Sequence, residues 1–307
     1  MTCLLGNRDQ HRNQLRLVTS YYDGTWFDYR WLWLNSENNA IHFGYHDEQR
    51  RSHAESLLNT NRVLAEVAAI HPGDRVLDAG CGVGGSSIWL AEQRGATVVG
   101  ITPVRTQVER ARRIVAMRDL AHAVTVEQAD YTATPFRDAT FDVVWALESV
   151  CHAQAKAAFY RESARLLRPG GRLVVAEYMR ALRPLPSADE KLLTRWLHNW
   201  MIPDLDTMQE HGQHALDAGF SNVEVRDITL NMRRSLRRLY VLSLVGVSTS
   251  RVLHRLRLRS AVSHGNVLGS LHQYRALRRA SWAYGILCAN KPSAGLRAAA
   301  PGGIGQA

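Results

Sequence analysis

The sequence predicts an α/β fold, a mostly parallel sheet with helices on both faces, and two observations carry the prediction. Residues 76–85 read Val-Leu-Asp-Ala-Gly-Cys-Gly-Val-Gly-Gly, an apolar strand running into a glycine-rich turn. Beyond it, strand-like and helix-like segments alternate at the spacing of βα units as far as Glu177. Length and composition agree, because 307 residues with 46% hydrophobic content can bury a full α/β core as one domain with embellishments.

Glycine accepts positive φ and lets another molecule touch the backbone, so Gly80, Gly82 and Gly84 suit a tight strand-to-helix turn beneath a ligand. A dinucleotide fingerprint would read G-x-G-x-x-G, and a phosphate loop would finish with Gly-Lys-Ser/Thr. Here the acidic Asp78 precedes G-x-G-x-G-G and no lysine follows. The run resembles the first motif of the class I S-adenosylmethionine (SAM) methyltransferases. That resemblance implies a Rossmann-like, seven-stranded sheet and SAM as cofactor, with the glycines beside its methionine end and Asp78 positioning its amino acid moiety.

The second strand, 97–101, leads into Thr102-Pro103-Val104-Arg105-Thr106-Gln107 and a helical stretch over 108–117. Many class I enzymes end this strand in Glu or Asp for the ribose hydroxyls. This chain has Gly100-Ile101-Thr102, which resembles the branch of sterol, tocopherol and small-molecule C-methyltransferases, and the likeness implies Thr102 and Gln107 at the ribose edge. From the residues alone, Gln107 reads equally well as a first-turn helix residue. The third strand, 124–128, ends at Asp130-Tyr131; the family assigns the acidic residue to the adenine amino group, whereas the bare sequence reads it as a cap.

Residues 141–146, Phe-Asp-Val-Val-Trp-Ala, form the fourth strand, and residues 166–177 supply a helix end, a Pro-Gly-Gly turn and the fifth. Strand ends in open α/β sheets point into the ligand crevice. That places Leu147 beside the cofactor and Glu148 near the transferable methyl group. His152 follows four residues later, on the same face of a helix. Glu177, closing the fifth strand, is a further catalytic candidate; its alternative is a strand-end salt bridge.

Around this core the sequence suggests a mobile start over 1–14, an aromatic-rich cap over 15–69 and the SAM-binding core over 70–180. Lid helices, the last two strands (near 223–228 and 282–289) and a basic helical insertion fill 181–292, before a disordered tail over 293–307. In the cap, Tyr21-Tyr22-Asp23 and His42-Phe43-Gly44-Tyr45 resemble stretches of the sterol and tocopherol C-methyltransferases. Trp26, Phe27, Tyr29, Trp31 and Trp33 crowd between them. Tyr21, Tyr22, Trp26, His42, Tyr45 and, from the 196–200 stretch, His198 are the expected substrate contacts. The competing reading of each ring is a core stripe.

Charge is uneven: the chain carries +10, Asp227 is its last acidic residue, and Lys291 with twelve arginines makes the remainder +13. A solvated or oligomer face is the first explanation, an anionic surface or substrate the next; no nucleic-acid-binding module accompanies the charge. Cys3, Cys81, Cys151 and Cys288 are scattered, without zinc spacing, so no metal and a reduced cytoplasmic setting are expected. Neither a secretion signal nor an apolar run of membrane-spanning length is visible.

Three functions compete. An alkene carbon needs no deprotonation to attack a methyl group, but the resulting carbocation needs stabilising rings and a carboxylate to take the proton. Glu148 with abundant Trp and Tyr fits that pattern, pointing to C-methylation of a prenyl or terpenoid acceptor, a prenyl diphosphate included. An oxygen acceptor of a sugar, polyketide or phenol would instead want His152 as base. A SAM-binding partner protein without catalysis is the third.

Overall fold

The computed structural model describes residues 7–32, 38–49 and 51–293. Cys3, Trp33, the side chain of Trp31 and the tail beyond Ser293 lie outside the described residues. Helix α1 (Asn7–Leu32) precedes α2 (His53–Val67), and then come β1 (Arg75–Ala79), α3 (Gly85–Arg94), β2 (Thr97–Thr102), α4 (Arg105–Met117), β3 (Val124–Gln128) and β4 (Phe141–Leu147). A 3-10 turn at Val150–His152 leads to α5 (Lys156–Leu166) and the long β5 (Leu167–Arg180). The chain continues with α6 (Ser187–Asn199), α7 (Met208–Asp217), β6 (Ser221–Asp227), α8 (Thr229–Arg255), α9 (Ala261–Arg278) and β7 (Trp282–Asn290).

The sheet order is β3-β2-β1-β4-β5-β7-β6, with β7 antiparallel to both of its neighbours and the other pairs parallel. The central strands are apolar almost without interruption because helices cover both faces; β4 buries every residue but Asp142 at least nine-tenths. Chain direction across the sheet reverses between β1 and β4. A crevice opens there at the carboxyl ends of the strands, the place where open α/β sheets bind ligands.

Local signals set the helix ends. Ser52 and Glu55 form a reciprocal capping box at the start of α2, and Thr207 and Glu210 another at α7. In α1, Val18, Tyr21, Thr25 and Asp28 recur at helical spacing and all are buried. The helix begins at Asn7, so residues 7–14 are ordered helix rather than the mobile start expected for 1–14. Their polar side chains have partners: Gln14 donates to the Met201 carbonyl (2.7 Å), and the His11 ring meets Asp130 (2.5 Å).

Helices α1, α6, α8 and α9 pack together over the carboxyl end of the sheet. The aromatic centre of that layer joins Tyr178 on β5 and Trp282 and Tyr284 on β7 to Trp196 and Trp200 of α6. Burying each such ring contributes about 1.5–3 kcal/mol, so this cluster is a main anchor of the helical layer.

Candidate active site

The glycine turn after β1 is shaped by two constraints. Gly80 has φ +94°, and a Cβ there would lie 2.3 Å from Cβ of Ser149. Ser149 is held in place, since its hydroxyl donates to the Ala79 carbonyl at 2.6 Å and its own carbonyl accepts from Tyr131 at 2.8 Å. Only glycine therefore lets the ends of β1 and β4 approach this closely. Gly84 contributes the positive-φ N-cap of α3 but does not line the cleft, a correction to its expected cofactor contact; Gly85 and Ser86 line it instead.

The cleft above the turn spans about 940 Å³, counting the space at its open mouth. Asp78, Gly80 and Gly82 form one end, Thr102 and Gln107 a side, and Asp130 and Tyr131 the other end, with Leu147 and Glu148 at the rim of β4. Asp78 accepts from the Ser87 hydroxyl at 2.6 Å, and burial pushes its pKa up to about 6. Thr102 donates to Gln107 at 2.7 Å, which holds the amide across the end of β2. An elongated donor with a cationic methionine end and an adenine end fits this lining: Asp78 suits the first, Asp130 the second, and the glycines leave room between them.

The roof extends beyond the expected Tyr22. His11, Leu15, Val18 and Tyr22 of α1, together with residues 39–41, close over the cleft. Their i, i+4, i+7 spacing was the available signal, but polar first turns look like a solvated helix end.

Glu148 stands at a junction. It lines the cofactor cleft and also a second chamber, about 440 Å³ counting its solvent-open space, whose other walls include Asp28, Tyr29, Phe43, Tyr178, Trp200 and Leu239. Its backbone has φ +51°, a left-handed conformation that costs a non-glycine residue on the order of 1 kcal/mol. The carboxyl itself is fully engaged. Oε1 accepts from the Phe43 N–H and the Tyr284 hydroxyl, each at 2.7 Å, and Oε2 from the Tyr178 hydroxyl. Tyr178 and Tyr284 are direct cross-strand partners, so both project to the same face. Burial raises the pKa of Glu148 to about 8, against the downward pull of its three donors.

His152 lies on the cleft wall with its Nε2 3.1 Å from the Tyr22 hydroxyl. Burial lowers its pKa to about 4, which leaves the ring neutral. Glu177 does not reach the cleft. Alternation along β5 turns it to the opposite face from Tyr178, where it accepts from the backbone N–H groups of Cys151 (2.8 Å) and Tyr178 (2.9 Å). It braces the turn that carries His152, a supporting place rather than the catalytic one expected.

The expected substrate contacts divide. Tyr22 and His42 line the cofactor cleft. Tyr21 sits one layer behind the chamber, its hydroxyl donating to Asn266 at 2.7 Å. Trp26 is half-buried outside both cavities, with the Arg110 guanidinium 3.9 Å from its ring centroid. Tyr45 packs against α2 away from both cavities, and His198 is on the exposed side of α6. Aromatic density shows that a surface is apolar but not which way each ring points.

The methyltransferase domain family matches residues 77–175. The chain is 32% identical to 27-O-demethylrifamycin SV methyltransferase of Amycolatopsis mediterranei, over 64% of this chain and 71% of the relative. It is 29% identical to cycloartenol-C-24-methyltransferase 1 of Oryza sativa subsp. japonica, over 73% of this chain and 64% of the relative. Two further curated relatives are matched over about half of their own length. Among solved structures, the [4+2]-cyclase SpnF superposes with a TM-score of 0.72 at 25% identity, covering 90% of this chain and 97% of that one. With the strand order, the glycine turn and the donor-shaped cleft, these matches show that the chain belongs to the class I methyltransferases and uses S-adenosylmethionine as its methyl donor.

Proposed function

We propose that the enzyme methylates carbon in a neutral, largely apolar acceptor of isoprenoid or related secondary-metabolite type, with Glu148 as the base that completes the reaction. The single observation that carries this reading is the placement of Glu148 between the cofactor cleft and an aromatic chamber. SAM supplies an electrophilic methyl group. An alkene held in the chamber forms a carbon–carbon bond to that methyl as the carbon–sulfur bond breaks. Tyr29, Phe43, Tyr178 and Trp200 present π faces to the cation left on the acceptor, and the Glu148 carboxylate removes a neighbouring proton to restore an alkene. With a pKa near 8 about a tenth of Glu148 is ionised at pH 7, so its use as the base costs about 1.4 kcal/mol there and less as pH rises.

The chamber lining supports a neutral acceptor rather than a prenyl diphosphate. Asp28 in it is already paired with Arg259 at 2.7 Å, Glu148 is mostly protonated at neutral pH, and no lysine or arginine lines it to receive a diphosphate. The rifamycin relative, named for O-methylation, favours a second reading in which His152, neutral and facing the cleft, takes a hydroxyl proton. Methyl-labelled SAM incubated with terpenoid alkenes, prenylated aromatics, sterols, phenols and glycosides separates the two, with mass spectrometry locating the label. Label on carbon upholds the proposal; label on oxygen replaces Glu148 with His152 as the base.

A further inference from the structure

Helix α8 is amphipathic in the wrong sense over its second half. Between residues 241 and 252 the buried positions are Ser243 and Ser250, whereas Val241, Leu244, Val245 and Val252 face outward. Of the twelve large apolar side chains exposed among the described residues, seven lie on α8 or in the turn after it. Leu230 is 81% exposed, Val245 77% and Leu258 73%. Steps of three, four or seven residues put Leu230, Arg234, Arg237, Val241, Val245 and Val252 on one line along the helix. Arg233, Arg238, Arg251, Arg255 and Arg257 surround that line, and none of these arginines forms an ion pair among the described residues. No acidic residue follows Asp227 to neutralise them.

We propose that the outer face of α8, with the turn that follows it, docks on an anionic lipid surface. Apolar side chains standing proud between long arginines are the arrangement of an interfacial helix: the apolar groups enter the acyl boundary while the guanidinium groups reach phosphate. A second copy of the chain is disfavoured as the occupant, because twofold pairing would set the same arginines against each other. The inner side of α8 supplies Leu239 to the acceptor chamber, so a lipid-bound enzyme would hold that chamber beside a reservoir of apolar molecules. No helix of the described residues is long and apolar enough to cross a membrane, so attachment would be peripheral.

Vesicle flotation of the whole protein tests the idea without any acceptor, which keeps its outcome separate from the reaction assignment. Vesicles of phosphatidylcholine alone should leave the protein in solution, and vesicles with about 30% phosphatidylglycerol should carry it upward in a salt-sensitive manner. Replacing Arg234, Arg237 and Arg255 together by Gln should weaken partitioning on the order of a hundredfold, since each arginine near the surface is worth about fivefold. Val245→Asp should abolish flotation. SAM affinity and circular dichroism should be unchanged in both variants, which excludes misfolding as the cause. Equal flotation with neutral vesicles, indifference to these substitutions, or binding to polyglutamate without binding to vesicles would each overturn the proposal.

Discussion

Tyr284→Phe removes one of the two phenolic donors to Glu148 and leaves the ring packed against Tyr178. The lost hydroxyl, carried by a fully buried ring, donates to Oε1 of the partly buried Glu148 at 2.7 Å. A hydrogen bond to a charged group contributes about 1.5–3 kcal/mol, and one pKa unit corresponds to about 1.4 kcal/mol. The donor favours the ionised form, so its removal should raise the pKa of Glu148 by about 1–2 units from a starting value of about 8. The assay is the pH dependence of methyl transfer to the acceptor identified by labelling. In the wild-type enzyme the rate should climb as Glu148 ionises and level off above the inflection. The variant should need a correspondingly higher pH to reach its plateau, with SAM affinity at fixed pH unchanged. An inflection that stays in place, or moves down, would refute the claim that these hydroxyls tune the base.

Glu148→Gln should retain SAM binding while lowering turnover by about 10²–10⁴-fold, the usual contribution of a positioned base; full activity in that variant would exclude Glu148 from the chemistry. The same substitution bears on stability. A carboxyl whose pKa is raised by folding favours the native state fully below its unfolded value, and that contribution is lost as pH rises through the folded value of about 8. Glu148→Gln should therefore gain stability relative to wild type between pH 5 and pH 9 in urea unfolding, and an equal offset at both ends would contradict the buried-acid assignment. Asp78, raised to about 6, should bind the cationic donor more tightly as pH rises through that value, a dependence readable by calorimetry between pH 5 and 8 and absent in Asp78→Asn. Gly80→Val must force its Cβ against Ser149 at positive φ, so SAM affinity should fall by more than about a hundredfold; near-normal affinity would mean the turn is free to relax.

What the sequence made legible was what a ligand demands of the backbone. Gly80, Gly82, Asp78, Thr102 and Asp130 lie at or just beyond the ends of parallel strands, where a local run of residues suffices to define the contact, and all of them line the cleft. The tuning of Glu148 was not legible. Tyr178 and Tyr284 read as ordinary strand aromatics until the antiparallel register of β5 and β7 sets them side by side. Glu177 failed as a catalytic candidate for the same reason, since strand alternation alone decides that it faces away from Tyr178. Trp26 does not follow its expected place because composition carries no direction, and on α1 a neighbouring guanidinium covers its ring.

The Tyr178–Tyr284 register also bears on the order in which the enzyme becomes competent. Glu148 and the parallel strands around it are synthesised well before Tyr284, which belongs to the strand inserted between β5 and β6. A nascent chain that has already collapsed its nucleotide-binding half still presents a carboxyl lacking one donor, beside an incomplete aromatic wall. Because a slip of one residue in β7 would turn Tyr284 to the opposite face, the reactive acid matures only when that strand enters the sheet in register.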